Sequence, residues 1–304
     1  MPTRSARHYV LARDGTPLAS HIHLGDAPDP SALGARRTVL LTNGIGTTEN
    51  FWRFIVGALQ EDYRVVHWDY RGHGASGVAV SGAYDVPTQV DDLARVTEDA
   101  MRRSDGRPPH HVAFSMGVRV LLELFRTRPE LVPSMTLIAG APGIPGSWSR
   151  APLRRGARAL TRGVLRALTP LVPVAAPLAQ AALASPATYP VGRALGVLQP
   201  GAPREDIDTF MQALKRMDPL AYWQTLRGLL EGHASDVLPR VKVPTQIIAA
   251  ANDRFVPMAE LERMRQALPH ARWRRIENAG HAGLLEAGPE HAAEVKDFVD
   301  GLPA

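Results

Sequence analysis

Three side chains in this 304-residue sequence have the types and surroundings for nucleophilic catalysis: Ser115, Asp253 and His281. A serine hydroxyl is a weak nucleophile until a base takes its proton, and an imidazole base needs a carboxylate to orient it. Ser115 stands in Ala113-Phe114-Ser115-Met116-Gly117, between the apolar run HHVAF and a helical pattern. A strand-to-helix turn that tight strains the nucleophile's backbone, and the residues two places either side must be small. Gly117 meets that demand. Ala113 departs from the usual G-x-S-x-G by one methyl group. Taken alone, the pentapeptide also fits a serine capping a helix. Asp253 lies in AANDRFVP after the run TQIIAAA, and His281 lies in NAGHAG after the last predicted strand. Alone, Asp253 reads as a surface turn residue and His281 as a loop or core histidine. Together they supply, in the order serine, acid, histidine, one arrangement in which this chemistry recurs.

Attack on a carbonyl also needs two backbone N–H groups aimed at the developing oxyanion. One is expected from Met116, directly after the nucleophile. The other is expected from the loop Asn43-Gly44-Ile45-Gly46, with Ile45 as the donor because it follows a permissive glycine. A plain glycine turn is the other reading of that loop.

Alternating elements are expected to position these groups. Residues 8–24 read as a β-hairpin turning at Asp14-Gly15. Strands are expected at 38–42, 64–68, 110–114 and 134–140, with helices near 50–59 and 87–103 and another starting at Met116. The short apolar runs suit strands buried on both faces. From 141 to 235 no strand is evident, and several helices are expected, one with Asp218 as N-cap and Pro219 in its first turn. Alternation then returns: a strand at 245–251, a helix at 258–268, a strand at 271–277 and one closing helix at 284–299. The pattern predicts an α/β fold, a mostly parallel doubly wound sheet whose strand ends carry the site. Residues 1–140 and 236–304 form its core, and residues 141–235 form an inserted helical cap.

Composition narrows the chemistry. Cysteine is absent, which excludes thiolate catalysis, disulfides and Cys-based metal sites. Lys and Arg number 35 against 30 Asp and Glu. This modest basic excess has no accompanying nucleic-acid motif, so no nucleic-acid partner is expected. The N-terminal stretch lacks a signal-peptide apolar run, and no segment reaches the roughly 18–20 apolar residues that span a bilayer. A cytoplasmic protein, monomer or homodimer, is expected.

The motifs NGIG, DYRGHGASG, AFSMG, AANDRFVP and NAGHAG, in that order, resemble the α/β-hydrolase superfamily over nearly the whole chain. Asn43 stands where many members have His. The resemblance implies a cofactor-free acyl-transfer hydrolase with Ser115 as nucleophile, His281 as base and Asp253 as acid. Some members carry the acid after the strand preceding the cap, but Ala139-Gly140-Ala141-Pro142 offers no carboxylate there. Serine at the nucleophile position argues against the dehalogenase and epoxide-hydrolase branches, which use Asp. In DYRGHGASG, the residues Asp69, Arg71 and His73 are expected to brace the structure.

Within the cap, Pro152–Leu168 reads as a basic amphipathic helix with Arg154, Arg158, Arg162 and Arg166 on one side. A solvated Arg face is the simpler expectation, and weak contact with an anionic membrane surface the sharper one. Ile45, Trp52 and Met116, with Phe210, Leu214 and Trp223 from the cap, are the candidate lining of an apolar substrate pocket. The expected substrate is a small to medium carboxylic ester. Rival readings are a perhydrolase resembling the non-haem haloperoxidases, a carbon–carbon bond or lactone hydrolase, and a binding protein on an inactive scaffold.

Overall fold

The computed structural model describes residues 4–143, 163–164, 167, 169–183 and 185–303. Eight strands form one sheet: β1 (Ser5–Leu11), β2 (Pro17–His23), β3 (Thr38–Thr42), β4 (Arg64–Trp68), β5 (His110–Phe114), β6 (Met135–Ile138), β7 (Thr245–Ala250) and β8 (Arg272–Ile276). Their spatial order is β1-β2-β4-β3-β5-β6-β7-β8. The hairpin β1–β2 is antiparallel, as is β2 against β4, and every later pairing is parallel.

The sequence explains why this sheet is covered on both sides. Val39 and Leu41 of β3, Val112 and Phe114 of β5, and Ile248 and Ala250 of β7 enter one apolar core. Their alternate neighbours Leu40, Ala113, Ile247 and Ala249 enter the other. That is the period-2 alternation of a pleated strand with two buried faces. Helices α1 (Arg53–Leu59) and the last helix α10 (Gly288–Asp300) cover the first face through Ile55, Val56, Val295 and Val299. Helices α2 (Val86–Arg102), α3 (Met116–Thr127) and α8 (Met258–Ala267) cover the second, through Leu93, Val118, Leu121, Leu261 and Met264. Each large aliphatic side chain so buried contributes roughly 1.5–3 kcal/mol.

Local chemistry sets the helix starts. Asp85 caps α2 by accepting the Thr88 N–H. Between β6 and β7 lie α4 (Val172–Leu183), α5 (Thr188–Ala194), α6 (Arg204–Arg216) and α7 (Pro219–Leu230). Asp218 caps α7 by accepting the N–H groups of Leu220 and Ala221, with Pro219 in the first turn. The expected amphipathic helix Pro152–Leu168, including Arg154, Arg158, Arg162 and Arg166, lies outside the described residues except at Gly163, Val164 and Ala167. Among the described residues no helix is long and apolar enough to cross a membrane.

The expected closing helix is two helices, α9 (Gly283–Glu286) and α10. Gly288 starts α10 directly against the Phe54 ring, where a Cβ would collide with it. Pro289, in the first turn of α10, has no N–H to continue the preceding helix, and Ala287 at φ −133° and ψ 45° marks the break. The helix expected from residue 50 likewise opens with a 3-10 turn, Glu49–Trp52, before α1.

Candidate active site

The strand order carries the loops after β3, β5, β7 and β8 to one edge of the sheet. Ser115 sits between β5 and α3 with φ 53° and ψ −116°. A left-handed φ is unfavourable for a residue with a Cβ and costs on the order of 1–3 kcal/mol. The fold holds it there by close contacts on both sides. The Ser115 N–H donates to the Ile138 carbonyl at 2.9 Å, and the Val118 N–H donates to the Ser115 carbonyl at 3.1 Å. A Cβ on Gly117 would lie 2.7 Å from the Thr42 carbonyl oxygen and 2.8 Å from that of Asn43. Only glycine lets α3 start this close to the end of β3. Gly140 meets the turn from the β6 side, where a Cβ would run into the Ser115 carbonyl.

His281 and Asp253 meet this turn. The Ser115 Oγ lies 2.9 Å from His281 Nε2. The opposite ring nitrogen, Nδ1, lies 2.8 Å from Asp253 Oδ2. An ionised carboxylate only accepts, so Nδ1 carries the proton and Nε2 is left as the acceptor for the serine hydroxyl. Asp253 is fixed in turn, because its Oδ1 accepts the N–H groups of Phe255 and Val256 at 2.8 and 2.9 Å. The Asp253 carboxylate has no solvent exposure, while the imidazole keeps about a fifth of its surface open. The rings of Phe114 and Phe255 flank the imidazole, with centroids at 5.4 and 5.0 Å.

The glycine loop after β3 reaches the same place. A Cβ on Gly44 would come within 3.0 Å of the Phe114 ring and of Ser115 Cβ. Ile45, next in the chain, packs on the apolar core. Met116 is the first residue of α3, where backbone N–H groups lack an intrahelical acceptor. From the insertion, Leu214 covers Gly46 so closely that a Cβ there would strike it, and Phe210 packs edge-on to Phe51 at 5.1 Å. Trp223 lies farther along, its indole N–H donating to Thr169 Oγ1 at 3.2 Å.

Trp52 is a correction to the sequence reading. Its ring is wholly buried, and its Nε1–H donates to Asn43 Oδ1 at 2.5 Å. Asn43 Nδ2 donates onward to the Trp68 carbonyl at 2.9 Å. Sequence proximity to the glycine loop suggested a pocket wall, but the 3-10 turn aims the indole inward, where it pins that loop. Asp69 and Arg71 have bracing roles. Asp69 accepts the Ala75 N–H, and Arg71 forms two 2.6 Å bonds to the buried Asp92 and one to Asp14. His73 is buried and bonds the Arg71 carbonyl at 3.0 Å.

A residue without sequence signal joins the site. Glu286 is buried, and its carboxylate accepts the N–H of Gly280, the residue before His281. Burial raises its pKa, opposed by its backbone hydrogen bonds. It is visible only once α9 folds back beneath the histidine loop.

Metal-ligating types gather elsewhere, in His21, His67 and Asp69 and in His23, Glu49 and His67. The rings of His21 and His67 stack at 4.3 Å with planes 10° apart. A metal ion lies in the plane of an imidazole that ligates it. Two stacked rings cannot both present such a plane to one ion without turning, so His21, His67 and Asp69 are not arranged as a metal centre; in the second set His23 Nε2 lies 2.9 Å from His67 Nδ1, a hydrogen bond between the two rings.

A family model described as alpha/beta hydrolase fold matches residues 37–288. A curated relative in Yersinia enterocolitica, named "Putative carbamate hydrolase RutD", is 25% identical over 248 residues, 82% of either chain. Among solved structures, an esterase from Exiguobacterium antarcticum superposes with a TM-score of 0.76 at 18% identity, over 97% of this chain and 100% of that one. A bromoperoxidase from Bacillus anthracis superposes with a TM-score of 0.75 at 16% identity, over 98% and 100%. At those identities the two structures speak for the fold alone.

Proposed function

The chain belongs to the alpha/beta hydrolase fold family, and from that premise we propose that it is a serine hydrolase cleaving a small to medium apolar carboxylic ester. The observation that carries the proposal is the hydrogen-bonded series Ser115–His281–Asp253, with bonds of 2.9 and 2.8 Å and the acid sealed from water.

His281 Nε2 takes the Ser115 proton as Oγ attacks the ester carbonyl, and the carbonyl π electrons move to oxygen. The N–H groups of Met116 and Ile45 receive that oxyanion. His281, now protonated and steadied by Asp253, returns its proton to the departing alcohol as the carbon–oxygen bond breaks. A water molecule, deprotonated by the same imidazole, then attacks the acyl-serine, and the acid leaves as Oγ recovers its proton. The inserted helices act as a cap over the strand ends. Ile45, Met116, Phe210 and Leu214 are the proposed apolar lining, and Trp223 a more distant part of the cap wall.

Ser115→Ala should lower kcat on p-nitrophenyl acetate by about 10⁴-fold or more, and a fluorophosphonate should label wild type at Ser115 alone. Full esterase activity in the alanine variant would refute the assignment. A chain-length series of p-nitrophenyl esters then sizes the pocket. The relative's name makes a carbamate the second substrate to try, because its carbonyl is open to the same attack. Acetate, bromide and peroxide test the perhydrolase alternative.

A further inference from the structure

The helical insertion touches both loops that supply the histidine and the acid, through one short segment. The Gln199 N–H donates to Glu286 Oε1 at 2.8 Å, while the Gly280 N–H donates to Glu286 Oε2 at 2.5 Å. One buried carboxylate therefore bonds the insertion with one oxygen and the residue before His281 with the other. The fit is close. A Cβ on Gly280 would lie 3.1 Å from the Gln199 side chain and 3.2 Å from the Glu286 carboxylate, and a Cβ on Gly201 would run into the Glu286 carbonyl oxygen. At the other end of the same segment, Arg254, next to Asp253, donates from Nε to the Gly196 carbonyl at 3.0 Å. Residues 196–202 thus bridge the acid loop and the base loop.

The two contacts of this segment, at Arg254 and at Glu286, differ in consequence. The Arg254 bond is exposed to solvent, where such contacts are weak. The Glu286 carboxylate is withdrawn from water, and a carboxylate taking two backbone N–H bonds forms the stronger, charge-assisted kind. Removing it leaves two N–H groups facing a buried space and frees the loop whose next residue is His281.

We propose that Glu286 is a positioning residue: it clamps the His281 loop to residues 196–202, so that seating the cap and aligning the base are a single event. This rests on the Ser115–His281–Asp253 assignment above. Glu286 touches neither the serine nor the reacting carbonyl, and it acts through the position of His281. Glu286→Gln keeps the shape but turns an amide NH₂ toward one of the two donors. Glu286→Ala removes both acceptors.

The test measures kcat per active site on p-nitrophenyl acetate, with sites counted by fluorophosphonate titration. Because a misplacement of about 1 Å costs roughly 100-fold, Glu286→Ala should lose on the order of 100-fold and Glu286→Gln about tenfold, with KM within twofold. A side chain that merely stabilises the fold would lower the melting temperature or the titrated fraction and leave kcat per site alone. Per-site kcat within twofold of wild type in both variants overturns the proposal. If the glutamine chain fails to accumulate, Glu286→Asp, which keeps the charge but spans one donor, is judged by the same twofold limit. Ser115→Ala, with its rate taken per mole of protein because it has no serine to titrate, separates the two ideas: activity there defeats the triad, whereas inactivity there with unaffected Glu286 variants defeats only the clamp.

Discussion

Replacing Gly117 by alanine tests whether the close crossing of α3 over β3 sets the position of Ser115, the proposed nucleophile. The added methyl would sit 2.7 and 2.8 Å from two backbone carbonyl oxygens, Thr42 and Asn43. Neither can swing away as a side chain would. To restore an ordinary separation of about 3.4 Å from both oxygens, α3 must retreat by about 0.7 Å. Overpacking of this kind costs about 1–3 kcal/mol. Alanine's better helix propensity returns at most about 1 kcal/mol, and less in the first turn. A net loss of about 1–2 kcal/mol remains. With an unfolding entropy of roughly 2.1 cal/mol/K per residue, this 304-residue chain should melt about 2–3 °C lower. Ser115 is two residues away on the same turn, so its Oγ should draw back from His281 by a fraction of that shift. From about 100-fold per Å, kcat should fall roughly tenfold. Differential scanning calorimetry and kcat per titrated site give the two numbers. An equal or higher melting temperature with kcat inside twofold would show that the crossing has slack, and that strain at Ser115 has another origin.

Asn43→Ala should destabilise by about 2–4 kcal/mol, since it strands the Trp52 N–H and the Trp68 carbonyl in a dry core; urea titration reads this, and a loss under about 0.5 kcal/mol would mean that other groups replace the amide. Acid should weaken the fold through its buried histidines, His67 and His73 among them. Burial lowers His23, His111 and His291 to about 4 and His110 to about 3. They stay neutral when folded, but in the unfolded chain they take up protons below about 6.5. Their contribution is therefore complete above that pH and drains away as pH falls toward 4, at up to about 1.4 kcal/mol per histidine per pH unit. Urea unfolding at pH 7.5 and 5.5 should show the decline, and equal stability at the two would refute it.

How much of this could be read from the residues alone depends on the range of the physics involved. The strands β3, β4 and β5 carry their two-sided burial in short apolar runs, so their limits agree with the expected ones residue for residue. The β5–α3 turn was legible because a nucleophile there demands a small residue at 117. The Asp218 cap was legible because its partners lie two and three residues away. Trp52 was misplaced because the direction of its ring depends on a 3-10 turn and on Asn43, nine residues earlier. The break before Gly288 is written in the dipeptide Gly288-Pro289, since proline cannot donate the N–H that would continue a helix; only the contact of Gly288 with Phe54, on another helix, needed the structure. Glu286 reads as one more charged residue in a helical stretch. Only the packing of residues 196–202 against it makes it distinctive.

Ser115 and His281 are 166 residues apart in the chain, yet they share a hydrogen bond. The distance has a consequence for biogenesis. A ribosome making this protein releases β5 and its serine long before β8 and the loop that follow it. Contacts of such separation form late, after the loop-closure entropy of the intervening chain has been met. Until then the serine is an ordinary alcohol. On the proposed Ser115–His281–Asp253 assignment, the nascent chain has no competent site, and turnover begins only when the last strand docks. Onset of hydrolysis in a refolding experiment would then time the docking of β8, rather than collapse of the apolar core.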